Sequence, residues 1–411
     1  LGDVYKRQGL SCGIKDMDSI LKQAQEVAAD CIALRRKIHR HPELADGEFE
    51  TTKLIQETLG SWGIEEQPLG LPTGAMGIIR GEAGRTDERV TLLRADIDAL
   101  PMQDRSGVPY ASSVPGVSHA CGHDGHVAIL LGAGRLLAQQ KSRLTGTIKL
   151  LFQPAEETGT GSHAVLKAGI LTNPTVDCAV ALHGWPECQL GHLGVFSGAY
   201  MASADSFTVT FKGGSAHGAY PHRVPDALNA AAHGVTLLNE ITSRRIDAKR
   251  PAVLSVCMFH AGTAPNIIPE EAVIAGTIRT QDAAVRQQIQ QEIHRVVQGI
   301  ADANGCSASV AFQHGPAPLV NSHEVIQQLK AAWSSLFGPD SIDPLESVMS
   351  SEDFSDILSQ VGEGAFVRLG ITKEGAPLHH IHTEEFDFND EAIVYGIALL
   401  VKFIMDRHGG Q

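Results

Sequence analysis

Apolar residues recur at helical spacing between Ser19 and His39. Ile20, Leu21, Ala24, Val27, Ala28, Cys31, Ile32 and Leu34 share one face, and Pro42 marks the stop. A small-residue and leucine-rich helix is predicted over Val127–Gln139. Short continuous apolar runs at Val90–Ala95, Thr147–Phe152 and Val176–Leu182 predict buried strands. Strands alternating with helices indicate an α/β sheet with parallel strands. Near residue 200 the pattern changes. Ser206–Phe211 alternates as a half-exposed strand does, and a helix follows from Pro225 to about Ser243. Strands are predicted at Ala252–His260 and Ala272–Thr280, a long helix at Ala283–Ala303 and a strand at Ser307–Phe312. This β-α-β-β-α-β order is that of a ferredoxin-like sandwich. After Asn321 the signals return to the first kind. The expectation is one domain, 17–200 and 317–411, interrupted by a second at 201–316.

Asp3-Val-Tyr-Lys-Arg-Gln8 resembles a translated transposon end of the kind used in sequencing libraries. Residues 1–16 are therefore expected to be a non-native leader, with the native chain starting near Met17.

The 411 residues suffice for two or three domains. With 43% apolar and 19% charged residues, the composition excludes a disordered chain. Lysine and arginine number 33 against 47 aspartates and glutamates, a net charge of −14. That balance argues against nucleic acid or an anionic membrane as partner. No apolar run reaches the roughly 18 residues of a bilayer span; the longest candidate, Ile397–Met405, is broken by Lys402. Seven widely spread cysteines and the absence of a signal-peptide pattern suit a cytoplasmic location.

The 19 histidines change the picture, because imidazole is the commonest metal ligand and acid/base group. Five clusters stand out. His119-Ala-Cys-Gly-His-Asp-Gly-His126 lies at the entry of a predicted helix, where cysteine and histidine one residue apart can converge on one ion. Gln153-Pro-Ala-Glu-Glu157 follows a predicted strand, the usual place for a ligand in an α/β sheet. Adjacent carboxylates there can divide the work, one binding a cation and the other handling a proton, or can simply be solvated. Leu182-His-Gly-Trp-Pro186 stands at another predicted strand end. Gly214–His222 lies in the insert, and Leu378-His-His-Ile-His382 near the C-terminus. Together these form a plausible pair of metal sites. No phosphate loop, dinucleotide fingerprint or nucleophile elbow is present in the sequence.

These motifs, with Arg35–Glu43, Arg94–Pro101, Asn266-Ile-Ile-Pro269, Gly276–Thr280 and Ser351-Glu-Asp-Phe354, occur in an order that spans Met17 to Arg407. In this the chain resembles the dinuclear metal amidohydrolases that include hippurate hydrolase, N-acyl-L-amino-acid amidohydrolase and auxin-conjugate hydrolase, relatives of aminoacylase and carboxypeptidase. The resemblance implies a metallopeptidase-like α/β catalytic domain with a mixed sheet. A ferredoxin-like α+β lid or dimerisation domain would interrupt it. It implies two divalent metal ions, manganese or zinc first and cobalt or nickel next, held by Cys121, His123, Glu157, His183 and His382. Glu156 would be the general base, drawing a proton from the metal-held water and passing it to the leaving amine. His217 would donate to the oxyanion, and Asn266 and Arg279 would hold the substrate carboxylate. Asp96, Asp98, Asp124 and His126 either orient the ligands from behind or cap the strand end and helix. One departure is local. The family's His-Asn/Ser-Pro is here His382-Thr-Glu-Glu-Phe386, without proline. Counting back from Phe386 picks His382, with His380 and His379 as alternatives.

The implied reaction is hydrolysis of the amide bond of N-acyl amino acids by a homodimer or homotetramer. A deacetylase of N-acetyl-diaminopimelate, a dipeptidase or carboxypeptidase, and a non-catalytic small-ligand binding protein are the alternatives.

Overall fold

The computed structural model describes residues 2–83 and 89–409, with side chains from residue 19 onward. Of the expected leader at 1–16, residue 1 lies outside the described residues and 2–16 are described by their backbone alone. The chain folds as two units. One comprises Leu1–Gly198, Asn321–Glu346 and Ile357–Gln411; the other comprises Ala199–Val320 and Ser347–Asp356.

The helices are α1 (Gly2–Arg40), α2 (Phe49–Ser61), α3 (His123–Gln139), α4 (Gly161–Lys167), α5 (Ala227–Arg245), α6 (Ala283–Asn304), α7 (His323–Phe337), α8 (Phe354–Val361) and α9 (Ala392–His408). Among the described residues none is long and apolar enough to cross a membrane. The strands up to the end of the first long stretch are β1 (Glu65–Glu66), β2 (Ala75–Arg80), β3 (Val90–Asp96), β4 (Thr147–Gln153), β5 (Cys178–Gln189), β6 (Leu193–Val195) and β7 (Gly198–Met201). Those that follow are β8 (Ser203–Lys212), β9 (Ala216–His217), β10 (Ala252–Ala261), β11 (Ile267–Ile268), β12 (Glu271–Thr280), β13 (Ser307–Gln313), β14 (Leu319–Asn321), β15 (Ile342–Pro344) and β16 (Gly364–Thr372).

The first unit is built on an eight-stranded sheet in the order β1-β2-β4-β3-β5-β16-β6-β15. Its centre, β4-β3-β5-β16, is parallel, as the apolar runs predict. The antiparallel pairings of β1 with β2, β2 with β4 and β16 with β6 make the sheet mixed. Leu93, Leu150, Val180 and Val367 from the central strands join Cys31, Leu130, Ile397 and Leu400 of the helices in one core. Burial on both faces explains why these strands read as continuous apolar runs. The expected end of β5 needs correction. The strand runs on to Gln189, so His183 lies within it, not at its end. Beyond Ala181 it pairs with β16 alone, Leu182 opposite Val367 and His183 opposite Arg368. A strand with one free edge tolerates Pro186, whose missing N–H no neighbour needs.

The second unit is an antiparallel sheet in the order β10-β12-β8-β13 with α5 and α6 packed on it. This is the ferredoxin-like order that the sequence pattern predicts. Phe207, Val209 and Phe211 alternate inward on β8 and meet Val285, Ile289, Ile293, Val297 and Ile300, an i, i+4 stripe on α6. Asp282 starts α6 by accepting from the Ala284 and Val285 amides, and Gly305 at φ 67° ends it.

Candidate metal centre

Three chain segments of the first unit bring side chains together above the sheet, and a fourth joins them from the approach to α9. Gly122, at φ 86°, turns the chain sharply into α3, so that Cys121 and His123 face one point from its entry. Sγ of Cys121 lies 3.3 Å from Nε2 of His183 on β5. The ligand atoms of Cys121, His123 and His183 lie within 4.8 Å of one another, and so do those of Cys121, Glu157 and His382. Glu157 Oε1 is 3.8 Å from His123 Nε2 and 3.4 Å from His382 Nε2. Glu156 joins His123 and Glu157 in a third such group. The His382 amide donates to the Ala120 carbonyl at 2.8 Å, which ties the late histidine to the cysteine loop. His380 instead pairs with Glu187 at 2.6 Å.

The histidines are held in one tautomeric sense. Nδ1 of His183 sits 2.7 Å from the Gly184 carbonyl, and Nδ1 of His123 sits 3.2 Å from Asp98. Each ring therefore keeps a proton on Nδ1 and turns Nε2 toward the cage. Nε2 of His123 and Oε1 of Glu157 are buried without a hydrogen-bond partner. Buried acceptors are normally satisfied, so two orphans aimed into a Cys/His/carboxylate cage fit a cation. Burial, with His126 and Arg368 nearby, pushes His183 well below the usual imidazole range and keeps it neutral. Burial also raises the Cys121 thiol, and a bound divalent cation would reverse that by stabilising the thiolate.

Asp98 accepts from the Glu157 amide at 2.9 Å as well as from His123. Asp96 receives His126 Nδ1 and Arg94, each at 2.6 Å. Burial would raise the Asp96 carboxyl, but His123, His126 and Arg94 hold it well below the usual range. His126 accepts the Gly184 amide through Nε2 at 2.8 Å, so it braces β5 and points no lone pair into the cage. His119 is buried with neither ring nitrogen bonded.

Arg35 and His39 of the Arg35–Glu43 motif form a buried network with Asp124. Arg35, fully buried on α1, donates to Asp124 at 2.7 Å, to Asp390 at 2.9 Å, to Tyr110 at 3.2 Å and to Asp387. His39, one turn on, bridges Asp124 at 2.9 Å and Asp104 at 3.2 Å. An arginine and a histidine four residues apart on the buried side of an amphipathic helix are the available signal, since such groups go inside only when paired. Burial opposes charge on His39, but Asp124 and Asp104 outweigh it and raise the imidazole to about 9. Burial would raise the Asp124 carboxyl, but Arg35, and after it His39, hold it far below its usual range. The His39 contribution to stability is complete below its unfolded pKa of roughly 6.5 and is lost as pH rises toward 9. The Asp124 contribution is present above roughly pH 4 and is lost as pH falls. Thermal midpoints should therefore decline from pH 6 to pH 9, and His39→Gln should flatten that decline. An equal decline in both proteins would remove His39 as its cause.

Phe388 is fully buried. A Cβ on Gly125 would stand 2.6 Å from its ring, and one on Gly184 would stand 2.5 Å away. The ring thus wedges between the backbones that carry His123 and His183. Gly125→Ala should cost about 1–3 kcal/mol through overpacking and weaken metal retention on dialysis. Unchanged melting and metal content would show that the ring has room to move.

His217, Asn266 and Arg279 belong to the second unit. His217 on β9 pairs with Ile267 on β11, and the Gly218 amide donates to the Asn266 carbonyl at 2.8 Å, so these two stand side by side. Nδ1 of His217 accepts the Ala219 amide at 3.1 Å, which leaves the proton on Nε2. Arg279 is half-buried on β12, on the sheet face away from the helices.

The fold and this cage of thiol, imidazole and carboxylate define a metal-dependent hydrolase of amide bonds. Residues 92–406 match Peptidase family M20/M25/M40, and the chain belongs to that family. It is 38% identical to an N-acetyl-L-cysteine deacetylase of Bacillus subtilis, over 88% of this chain and 84% of that one. It is 40% identical to an N-acyl-L-amino acid amidohydrolase of Geobacillus stearothermophilus, over 75% and 82%. It is 36% identical to thermostable carboxypeptidase 2 of Saccharolobus solfataricus, over 94% and 98%. A solved structure, the Bacillus subtilis YXEP protein described as a dinuclear metal binding peptidase, superposes with a TM-score of 0.80. It is 32% identical and covers 93% of this chain and 99% of that one.

Proposed function

We propose that the protein hydrolyses the amide bond between an acyl group and an amino acid. The observation that carries this reading is the cage of Cys121, His123, Glu157, His183 and His382, with Glu156 beside it. We assign it two divalent cations. The soft Cys121 donor favours zinc, while the nitrogen and oxygen donors suit manganese, cobalt or nickel. When bound, such ions polarise a carbonyl and make water acidic. Glu156 takes the proton of the attacking water and passes it to the leaving nitrogen. That work needs a carboxylate near the ligands but not spent as one. His217, with its proton on Nε2, donates to the developing oxyanion. Asn266 and the planar guanidinium of Arg279 hold the substrate carboxylate. Asp96 and Asp98 fix the ligand geometry from behind.

We further assign a homodimeric or homotetrameric state in the cytoplasm, without nucleic acid or membrane partners. The 199–320 unit would serve as lid and dimerisation element. Strand β10 is a sheet edge whose Val253, Met258 and Phe259 are 41–51% exposed, and an uncovered apolar edge invites pairing. The six described cysteines are all unpaired, in keeping with a reducing compartment.

The test is turnover of hippurate, N-acetyl amino acids, N-acetyl-diaminopimelate and unblocked dipeptides, after chelation and after resupply of manganese or zinc. Metal-restored cleavage of the N-acyl compounds is expected. Cleavage of unblocked dipeptides alone would transfer the reading to the peptidase activity named for the Saccharolobus relative.

A further inference from the structure

Glu48 precedes α2 and is fully buried, far in sequence from every residue of the cage. Its Oε1 accepts the amide of Ala155 at 2.9 Å. Ala155 is buried and adopts φ 53°, a left-handed conformation that an L side chain takes only when its surroundings hold it there. It is the residue immediately before Glu156. On the other side of Glu156, the amide of Glu157 is held by Asp98 at 2.9 Å. Two buried carboxylates from distant segments thus hold the peptide that enters Ala155 and the peptide that leaves Glu156. The turn is closed from within by the Gly161 amide on the Ala155 carbonyl at 3.0 Å and the Gly159 amide on the Glu156 carbonyl at 2.7 Å. A Cβ at Gly161 would stand 1.7 Å from the Pro154 carbonyl oxygen, so the chain doubles back here without room to spare.

From this arrangement we infer that Glu48 is a positioning residue for Glu156. It touches neither substrate nor cation. It fixes the entry to the left-handed residue that precedes the general base, and Asp98 fixes the peptide that follows the base. A base must sit within hydrogen-bond reach of the proton it takes, and small misplacements are costly. Glu48 therefore affects kcat and leaves substrate binding alone. This inference rests on the role given to Glu156 above.

The test uses the full chain loaded with manganese or zinc. Glu48→Gln keeps an acceptor oxygen at the same reach and is expected to retain more than a third of kcat. Glu48→Asp withdraws the acceptor by one methylene while remaining a small acid. It is expected to lose about tenfold in kcat, with KM within about twofold and metal content unchanged. Hydrogen exchange of the peptide covering 153–161 is measured in the same three proteins. The Ala155 amide should exchange faster in Glu48→Asp and at the parental rate in Glu48→Gln. Parental exchange in Glu48→Asp would overturn the inference, whatever the activity. So would a loss of kcat that follows loss of bound metal, or equal losses in both variants. If the parent protein turned over no N-acyl amino acid, the functional reading would fail, while the exchange rates would still decide whether Glu48 holds the turn.

Discussion

Replacing Glu156 with glutamine is expected to lower turnover by about 10²–10⁴-fold while metal content stays at the parental level. The two side chains have the same shape, so the cage formed by Cys121, His123, Glu157, His183 and His382 has no reason to open. Only the capacity to accept a proton is removed. The neighbouring Glu157→Gln should behave differently. Oε1 of Glu157 is a buried acceptor with no hydrogen-bond partner, 3.4 Å from His382 Nε2 and 3.8 Å from His123 Nε2. Neutralising it weakens the cage itself, so metal is lost and activity falls with it. The pair of measurements, turnover and bound metal, separates a proton carrier from a ligand. Turnover of Glu156→Gln within tenfold of the parent would refute the base assignment.

Replacing Arg35 with methionine should have the largest effect on stability. Its guanidinium is inaccessible to water and serves Asp124, Asp387 and Asp390 at once. Breaking a buried ion pair from one side costs about 3–5 kcal/mol, because the abandoned charge remains buried. For a domain of this size that is on the order of 10 °C in apparent melting temperature. Asp124→Asn added to Arg35→Met should restore part of the loss, since it removes one of the stranded carboxylates. A shift of only a degree or two in the single variant would mean that water or a neighbouring cation takes the place of Arg35.

The parts of the molecule legible in sequence are those whose signal is local. Unbroken apolar runs mark strands buried on both faces, and the i, i+4 stripe of α6 and the alternation in β8 mark the insert. Cys121 and His123 stand out because two strong ligand types occur one residue apart at a helix entry. What spacing could not give is convergence. His183 and His382 are 199 residues apart, and only the parallel pairing of β5 with β16 and the His382 amide on Ala120 bring their segments to one place. The end of β5 was hidden for a physical reason. Gly184 and Pro186 look like strand breakers, yet an edge segment with a single neighbour accommodates both. Arg35 and His39 stand in a motif and Phe388 beside one, but no motif says what they touch, and Glu48 carries none. Their importance arises from partners tens to hundreds of residues away, which a linear pattern does not contain.

The origin of the ligands in the chain has a consequence for how the protein is made. Cys121, His123, Glu157 and His183 leave the ribosome before the 199–320 unit has been synthesised, whereas His382, and the Asp387 and Asp390 that neutralise Arg35, come only in the last thirty residues. During synthesis of the insert, the emerging chain exposes a half-built cage and an arginine without most of its counter-charges. Contacts across such sequence separations form late. On the proposed assignment, the set of ligands is complete only once residue 382 has been synthesised, so metal capture would be a closing event of biogenesis.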